Sequence, residues 1–298
     1  MSTQNTVGFV GIGMMGWPMA VALARRGFSV VAYDTQKERL AQLEKETGCK
    51  PAASLADFAG CRTVITMLPD SKAVEAVLFG DGGLATMLKP GALLVDMTSG
   101  VPAVTKRLAE QLAAKQIGMI DAPVSGGVAR ARTAELAIMV GGEASLVERA
   151  TPLLEAMGKV IPAGGIGSGQ AMKALNNLVS AGGFLIGVEA LLMGKAFGLS
   201  PEVMVDILNA STGMNNSTQK KFKQFVLSGA YNSGFALNLM VKDLSIALDI
   251  GKDAKVATPF AALCREMWAA SQAVLEPGAD HTALAKVCEK LAGVKLAD

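Results

Sequence analysis

Short runs of apolar and often β-branched residues alternate with longer amphipathic stretches through the first half of the chain. The apolar runs have the length of strands and lie at 7–12, 29–33, 63–68, 92–97, 118–121, 136–140 and 159–161. The amphipathic stretches predict helices at 14–26, 36–46, 72–78, 102–115 and about 144–157. This alternation is typical of a parallel sheet that is covered by helices on both faces.

The pattern changes after the glycines at 164–167, because helical periodicity continues and strand patterns stop. The stretch 170–197 contains no proline and is apolar nearly all round, as in a helix buried between domains or subunits. A chain of 298 residues is also too long for one typical core. We therefore place a domain boundary near Gly165, which separates residues 1–164 from residues 165–298.

The composition and the net charge of the chain argue against some classes of binding partner. The net charge of +2 is nearly balanced and no Lys/Arg block occurs, which argues against nucleic acid and against an anionic membrane surface. The N-terminus lacks the pattern of a signal peptide. The longest weakly charged run, 174–188, ends before Glu189 and includes two asparagines, so it is predicted to be too short and too polar to span a bilayer.

The cysteines and the histidine indicate no metal centre. Cys49, Cys61, Cys264 and Cys288 form no CxxC pair, and His281 is the one histidine. A zinc site thus has few candidate ligands. We expect a reduced, cytoplasmic protein with four ordinary thiols and no metal.

A glycine loop follows the first strand run: Gly11, Ile12, Gly13, Met14, Met15 and Gly16 form a GxGxxG pattern between a predicted strand and a predicted helix. In this context the first glycine allows a tight turn, the second allows a pyrophosphate to approach, and the third allows close packing of helix on strand. The loop therefore predicts a dinucleotide site at a helix N-terminus. The alternative is a glycine-rich turn without a ligand.

Asp34 ends the second strand run, eighteen positions after Gly16. A carboxylate there can accept hydrogen bonds from the adenosine ribose and repel a 2′-phosphate, which favours NAD. Lys37 and Arg39 follow closely and could bind that phosphate, so NADP remains possible. Asp34 could also be a turn or cap residue.

Further motifs occur in order along nearly the whole chain: Thr66-Met-Leu-Pro-Asp70, Asp96-Met-Thr-Ser-Gly-Val-Pro102, Asp121-Ala-Pro-Val-Ser-Gly-Gly127, Gly167-Ser-Gly-Gln-Ala-Met-Lys-Ala-Leu-Asn-Asn177 and Lys242-Asp243-Leu244. Together with the glycine loop they resemble the β-hydroxyacid dehydrogenase family, which includes 3-hydroxyisobutyrate dehydrogenase, tartronate semialdehyde reductase and 6-phosphogluconate dehydrogenase.

The resemblance implies an α/β fold, in which a Rossmann-type doubly wound sheet domain precedes an all-helical C-terminal domain. It also implies that Leu68, Pro69, Thr98 and Ser99 border the nicotinamide half of the cofactor. Lys242 is implied to contact the cofactor or substrate from the second domain.

Lys173 is the candidate for proton transfer. Oxidation of an alcohol needs a base for the hydroxyl proton, and reduction uses the same group as an acid. His281 stands far from any glycine-rich loop and is better explained as a surface or packing residue. Lys173 follows a glycine-rich turn, and burial beside a helix N-terminus favours the neutral amine. Asn177, four residues later, lies on the same helical face and could hold the substrate or the amine.

A second loop is the candidate for binding the substrate. Ser125, Gly126 and Gly127 offer a hydroxyl and backbone N–H groups that suit a carboxylate, although a simple turn would look the same. Arg130 and Arg132 follow this loop. One of them is predicted to contact the far end of the substrate or the cofactor, unless both face solvent.

The function predicted from these observations is NAD-dependent oxidation of a small 3-hydroxy carboxylic acid, or reduction of the matching aldehyde acid. An alternative is an NADPH-dependent reductase of a short aldehyde acid of the tartronate semialdehyde, succinic semialdehyde or sulfolactaldehyde type. A non-catalytic cofactor-binding scaffold is a third interpretation, which the presence of Lys173 disfavours. The apolar helical half predicts a homodimer or homotetramer.

Overall fold

The computed structural model describes residues 6–297, and the chain divides into two compact units between Lys173 and Ala174. The strands in the described residues all lie in the first unit: β1 Thr6–Val10, β2 Ser29–Tyr33, β3 Lys50–Pro51, β4 Thr63–Thr66, β5 Leu93–Asp96, β6 Gly118–Asp121, β7 Val124–Ser125, β8 Leu136–Gly141 and β9 Gly158–Gly164. Its helices are α1 Gly16–Arg25, α2 Lys37–Thr47, α3 Ser71–Phe79, α4 Leu84–Met87, α5 Pro102–Ala113, α6 Gly127–Arg132 and α7 Ala144–Glu155.

The strands form one sheet in the order β3-β2-β1-β4-β5-β6-β8-β7, and β9 pairs with β8. The first six strands are parallel and have the order that defines the Rossmann fold. The expected parallel sheet is thus confirmed up to β6. Strand β8, however, runs antiparallel to β6 and to β7. The chain turns back at β7, and the six-residue helix α6 is too short to cross over the sheet.

Both faces of this sheet are buried. Neighbouring residues of β4 and β5 belong to different apolar clusters, with Ile65 and Val95 in one and Val64 and Leu94 in the other. Successive side chains of a strand point to opposite faces, so the two clusters are the two sides of a doubly covered sheet. The expected doubly wound fold is confirmed.

Some elements differ from the sequence-based prediction. Helix α1 begins at Gly16 because Met14 and Met15 still belong to the turn, and Gly27 ends that segment with a positive φ of 86°. Strands β3 and β7 and helix α4 were not predicted. Elements of two to four residues are too short to show a periodic pattern.

The second unit is helical. It contains most of α8 Ser168–Phe197, followed by α9 Pro201–Asn209, α10 Asn216–Lys220, a π-helix Phe222–Leu227, α11 Leu237–Asp253, α12 Pro259–Val274 and α13 Leu284–Ala292. Its core includes the fully buried side chains of Phe184, Phe222, Leu244 and Trp268. The boundary predicted at residues 164 and 165 stays a prediction, because α8 runs without interruption through the junction of the two units.

The run 174–188 was predicted to be too short and too polar to span a membrane. As far as length and composition are concerned, this prediction was wrong. The run belongs to α8, which has 30 residues and reaches a mean hydropathy of 1.5 over 18 of them. The same composition is found in core helices, and 56% of that window is buried inside the protein.

Candidate active site

The glycine loop connects β1 to α1, and its three glycines have distinct roles. Gly11 has a φ of 98°, and a Cβ there would lie 2.3 Å from the carbonyl oxygen of Met67. A Cβ on Gly16 would lie 1.9 Å from the carbonyl oxygen of Gly11. A Cβ on Gly13, by contrast, would have no atom nearer than Nη1 of Arg39, at 4.0 Å. The loop is therefore tight on the protein side and open above Gly13, as the pyrophosphate of a dinucleotide requires.

The other loop residues have different environments. Ile12 is fully buried and Met15 is half-buried, whereas Met14 is exposed. Apolar packing below the loop thus anchors it, while its outer surface stays accessible.

Asp34 follows β2 and is joined to the loop. One carboxylate oxygen accepts a hydrogen bond of 2.7 Å from the backbone N–H of Ile12, and the other accepts one of 2.9 Å from Gln36. The structure thus brings Asp34 beside the glycine loop, as the motif predicts. Both oxygens already have N–H partners, and these offset part of the carboxylate charge.

The loops after β4 and β5 lie side by side, because these strands are parallel neighbours. The backbone N–H of Leu68 donates a hydrogen bond of 3.0 Å to Oγ1 of Thr98. Pro69 is exposed, Ser99 is half-buried and Thr98 is fully buried. The four residues expected to border a nicotinamide ring therefore share one edge of the sheet.

Asp96 is buried beneath this edge. It accepts hydrogen bonds from the hydroxyl of Thr66 at 2.9 Å and from the backbone N–H of Thr98 at 3.1 Å. Burial raises the pKa of Asp96 to about 6, although the hydrogen bonds from Thr98 and Thr66 oppose the shift. Its role is to position the loop after β5.

Asp121, at the end of β6, binds the beginning of α8. Its two oxygens accept hydrogen bonds from the backbone N–H groups of Gly167, at 2.7 Å, and Gln170, at 2.8 Å. Burial raises the pKa of Asp121 to about 6, and the hydrogen bonds oppose this shift. Asp121 thus caps the helix that contains Lys173.

Gln170 is a site residue that sequence reasoning missed. Its side chain is buried; Oε1 accepts a hydrogen bond of 2.7 Å from the N–H of Gly100, and Nε2 donates one of 2.7 Å to the carbonyl oxygen of Thr98. The first turn of α8 is therefore tied to the loop after β5. The one signal in the sequence was its position three residues before Lys173.

Lys173 lies in the second turn of α8 and is 8% exposed. Asp121 and Gln170 act on the turn before it, so its place relative to the ends of β5 and β6 is determined by buried hydrogen bonds. A lysine held in this way differs from the solvated surface lysine that is the usual case.

Asn177 and Lys242 belong to the second unit. Nδ2 of Asn177 donates a hydrogen bond of 2.6 Å to Oδ2 of the buried Asp243, and Oδ1 of Asn177 accepts one of 3.2 Å from Asn176. Nζ of Lys242 lies 3.8 Å from Oδ1 of Asp243. These contacts place Asn177 and Lys242 around one carboxylate.

The loop proposed to hold a carboxylate connects β7 to α6. Gly126 and Gly127 are exposed and have positive φ values of 130° and 65°, and Ser125 is half-buried. A Cβ on Gly126 would collide with the side chain of Arg130 at 2.7–3.2 Å, so that side chain lies against the loop.

His281 is buried in the core of the second unit and is a packing residue, not a surface one. Its ring stacks on Trp268 at a centroid distance of 6.1 Å. Nζ of Lys221 donates to its Nε2 over 3.0 Å, and its Nδ1 lies 3.1 Å from the carbonyl oxygen of Phe235. Burial lowers its pKa, and the Lys221 ammonium adds to this shift.

The cysteines are free thiols, and all four are buried. Among residues 6–297, no group of three or more His, Cys, Asp or Glu side chains could hold a metal ion.

Two family models cover almost all of the chain. The model of the NAD-binding domain of 6-phosphogluconate dehydrogenase matches residues 6–167. The model described as NAD-binding of NADP-dependent 3-hydroxyisobutyrate dehydrogenase matches residues 167–288.

Individual proteins agree with these models. The chain is 35% identical to 2-(hydroxymethyl)glutarate dehydrogenase of Eubacterium barkeri over 99% of both proteins. It is 34% identical to 3-sulfolactaldehyde reductase of Escherichia coli over 97% of both. A solved structure of Mycobacterium tuberculosis 3-hydroxyisobutyrate dehydrogenase with L-serine superposes with a TM-score of 0.86, at 29% identity, over 95% of this chain and 99% of that one.

Proposed function

The chain belongs to the β-hydroxyacid dehydrogenase family and is a nicotinamide-dependent oxidoreductase of hydroxy acids or their semialdehydes, and we propose that Lys173 transfers the proton in this reaction. When bound, the nicotinamide cofactor supplies or accepts the hydride. The fold, the cofactor class and the enzyme class expected from the motifs are thereby confirmed.

The observation that supports this role is the burial of Lys173 about one helical turn after Gln170 on α8. Gln170 is held by hydrogen bonds to Asp121 and to the carbonyl oxygen of Thr98. An amine in the second turn of that helix can take the hydroxyl proton in oxidation and return it in reduction. Asn177, one helical turn later, is proposed to hydrogen-bond the substrate or to orient the amine. Its amide is itself oriented by the buried Asp243.

For the cofactor we propose contacts along the carboxyl ends of the strands. The loop residues Gly11 to Gly16 hold the pyrophosphate, and Asp34 lies on the side of the adenosine ribose. Leu68, Pro69, Thr98 and Ser99 border the nicotinamide, and we keep Lys242 as a proposed contact from the second unit.

For the substrate we propose a small 3-hydroxy acid whose carboxylate binds at Ser125, Gly126 and Gly127. One relative acts on a molecule with a second anionic group, because a glutarate has two carboxylates; another acts on sulfolactaldehyde, whose one anionic group is a sulfonate. Arg130, which lies against Gly126, is a donor suited to such a group.

The second candidate is reduction of a short aldehyde acid with NADPH. The similarity to the sulfolactaldehyde reductase favours the reduction, and the family model described as NADP-dependent favours that cofactor. The non-catalytic scaffold has no comparable support. We also propose that the enzyme is cytoplasmic, in keeping with its four buried thiols.

We further propose a homodimer or homotetramer. Met172, Val179, Ile186 and Met193 are exposed and recur every seven residues along α8. That spacing puts them on one face of the helix, where a second copy can cover them.

The proposed function is tested by measuring kcat/KM for a panel of 3-hydroxy acids and matching semialdehydes, with NAD and NADP in parallel. We expect turnover of 3-hydroxy acids and none of 2-hydroxy acids of the same size. Turnover of 2-hydroxy acids alone would contradict the proposal.

A further inference from the structure

The carboxylate of Asp121 is enclosed between the end of β8 and the beginning of α8. It is fully buried, which is unusual for an aspartate. A Cβ on Gly141 would lie 2.6 Å from its Oδ1, and a Cβ on Gly169 would lie 2.8 Å from its Oδ2. Glycine at both positions therefore lets the two elements pack directly against the carboxylate. A hydrogen bond that is lost there cannot be replaced by one to solvent.

Both carboxylate oxygens of Asp121 hold the beginning of α8, through the backbone N–H groups of Gly167 and Gln170. N–H groups at this end of a helix have no partner within it, and a negative charge there interacts favourably with the helix dipole. Lys173 follows Gln170 by three residues, which is roughly 4.5 Å along the helix axis. The carboxylate thus determines where the turn that contains Lys173 begins.

A second buried carboxyl group, that of Asp96, belongs to the neighbouring strand. Asp96 of β5 and Asp121 of β6 are partners in the register of the sheet, so their side chains leave the same face about 5 Å apart. Two carboxylates at this distance oppose each other's ionisation. Burial raises the pKa of each to about 6, and for Asp96 the charge of Asp121 adds to the shift. One of the two therefore takes up a proton in mild acid.

Other charges close to Asp121 come from the elements packed against β6. Strand β8 has no charged residue, and α8 contributes the buried Lys173. The remaining charged side chains near this end of the sheet are exposed, and water screens them: Lys106 of α5, Glu143 just before α7 and Glu148 of α7. Surface charges thus have little effect on Asp121, whereas a proton taken up from solution changes it directly.

We propose that Asp121 is a positioning residue of the reaction, which holds Lys173 in place for proton transfer only while it is a carboxylate. The inference rests on the proposed role of Lys173. A proton on Asp121 removes its charge and converts one of its two acceptors into a hydroxyl, which weakens the hydrogen bonds to Gly167 and Gln170. The first turn of α8 then shifts, and the amine moves with it. Activity therefore depends on the ionisation of a group that exchanges no proton with the substrate.

The direction of the reaction separates this effect from the titration of Lys173 itself. In reduction the amine acts as an acid, so it must be protonated, and a lower pH does not inactivate it. A rate of reduction that falls below about pH 6, here called the acid limb, must come from another group. We expect the wild type to be about tenfold slower at pH 5 than at pH 7.5, because a group with a pKa of about 6 is then mostly protonated.

The experiment measures the rate of hydride transfer in a single turnover of reduction, by stopped-flow absorbance of the reduced cofactor between pH 5 and pH 8. Methylmalonate semialdehyde and tartronate semialdehyde are the probes, and the one with the higher kcat/KM is used at saturation. Asp121→Asn keeps the size of the side chain and cannot ionise. Circular dichroism checks its folding, and fluorescence of the bound reduced cofactor checks its binding.

Two control variants separate Asp121 from other acidic and titrating groups. Asp57 is exposed and also accepts two backbone N–H groups, from Ala53 and Ser54, so Asp57→Asn is the matched control. His281→Gln removes a buried titrating group of the second unit. Both variants should keep the acid limb of the wild type.

Asp121→Asn should transfer hydride at least tenfold more slowly than the wild type at pH 7.5, because a small displacement of the amine lowers the rate strongly. It should bind the cofactor within twofold of the wild type and show no acid limb. A merely structural role would instead lower cofactor binding and rate together and leave the acid limb in place.

A wild-type rate that stays constant down to pH 5 overturns the inference, as does an acid limb that persists in Asp121→Asn. If Asp121→Asn does not fold, Asp96→Asn decides: an acid limb that remains supports Asp121, and one that disappears assigns the titration to Asp96 and overturns the inference. These results leave the proposed function intact. A wild type that reduces no semialdehyde of the panel with either cofactor, or full turnover by Lys173→Ala, overturns the proposed function as well.

Discussion

The side-chain oxygen of Gln170 accepts a hydrogen bond of 2.7 Å from the backbone N–H of Gly100. The amide nitrogen of the same side chain donates to the carbonyl oxygen of Thr98. One buried amide thus connects the helix that contains Lys173 to the loop that is proposed to border the nicotinamide. This connection determines how far the amine lies from that loop.

Gln170→Met should lower stability and turnover together. It leaves the N–H of Gly100 and the carbonyl of Thr98 without partners, which costs about 1–3 kcal/mol in the free energy of unfolding. Turnover should fall through kcat, because the amine is misplaced while the glycine loop is intact. Urea unfolding and steady-state kinetics measure both effects. A raised KM for the cofactor with an unchanged kcat would contradict the positioning role.

Lys173→Ala should abolish turnover and leave cofactor binding intact. General acid–base catalysis typically accelerates a reaction about 10²–10⁴-fold, so kcat should fall by at least about 100-fold. Absorbance measures turnover, and NADH fluorescence measures binding. Lys115→Ala, at an exposed position of the same unit, is the control. A variant that keeps a tenth of the wild-type kcat would exclude proton transfer by Lys173.

Arg130→Met should weaken selectively those substrates that have a second anionic group. The comparison is kcat/KM for 3-hydroxypropionate against a 3-hydroxy acid with an added carboxylate or sulfonate. A charge-assisted hydrogen bond contributes roughly 1.5–3 kcal/mol, and only the second substrate should lose it. Arg132→Met at saturating cofactor is the control and should treat both substrates alike. Equal, small losses in Arg130→Met would mean that Arg130 faces solvent.

The protein should be an oligomer at micromolar concentration. Large apolar side chains recur along one exposed face of α8, and an exposed apolar face of this kind often marks a protein–protein interface. Light scattering should give at least twice the monomer mass of 30.7 kDa. Val179→Glu together with Ile186→Glu should lower that mass, because charges on this face oppose its burial. A wild type that remains monomeric refutes the prediction.

His281 should make the second unit sensitive to acid. Its pKa is lowered in the folded protein, so the unfolded chain takes up a proton first as the pH falls below about 6.5. The free energy of unfolding is thus unaffected by this group above that pH. Below it, the free energy of unfolding falls by at most about 1.4 kcal/mol per pH unit.

Two carboxyl groups act in the opposite direction. Asp96 and Asp121 have raised pKa values of about 6, so the folded state gains protons, and stability, as the pH falls toward 4. A comparison with His281→Gln cancels their contribution, because both proteins contain them. Between pH 7.5 and 5.5 the wild type should lose more unfolding free energy than the variant. Parallel pH curves would exclude the effect of His281.

The sequence by itself determined the class of fold and the chemistry. Strand-length apolar runs, helical stretches and the loop from Gly11 to Gly16 are local patterns, and local patterns predict a doubly wound sheet and a dinucleotide loop without coordinates. Ordered motifs likewise identified Lys173 as the candidate for proton transfer. Elements without a periodic pattern, such as β7, could not be predicted, and neither could the antiparallel direction of β8.

Only the tertiary structure decided which side chains meet. The contacts of Asp121 with Gly167 and of Gln170 with Thr98 join residues 46 and 72 positions apart, and no local pattern contains such distances. The same holds for Arg132, for which the sequence allowed a contact with the substrate, a contact with the cofactor or exposure to solvent. Its direction depends on how α6 packs against α1, and packing is a property of surfaces brought together by the whole chain.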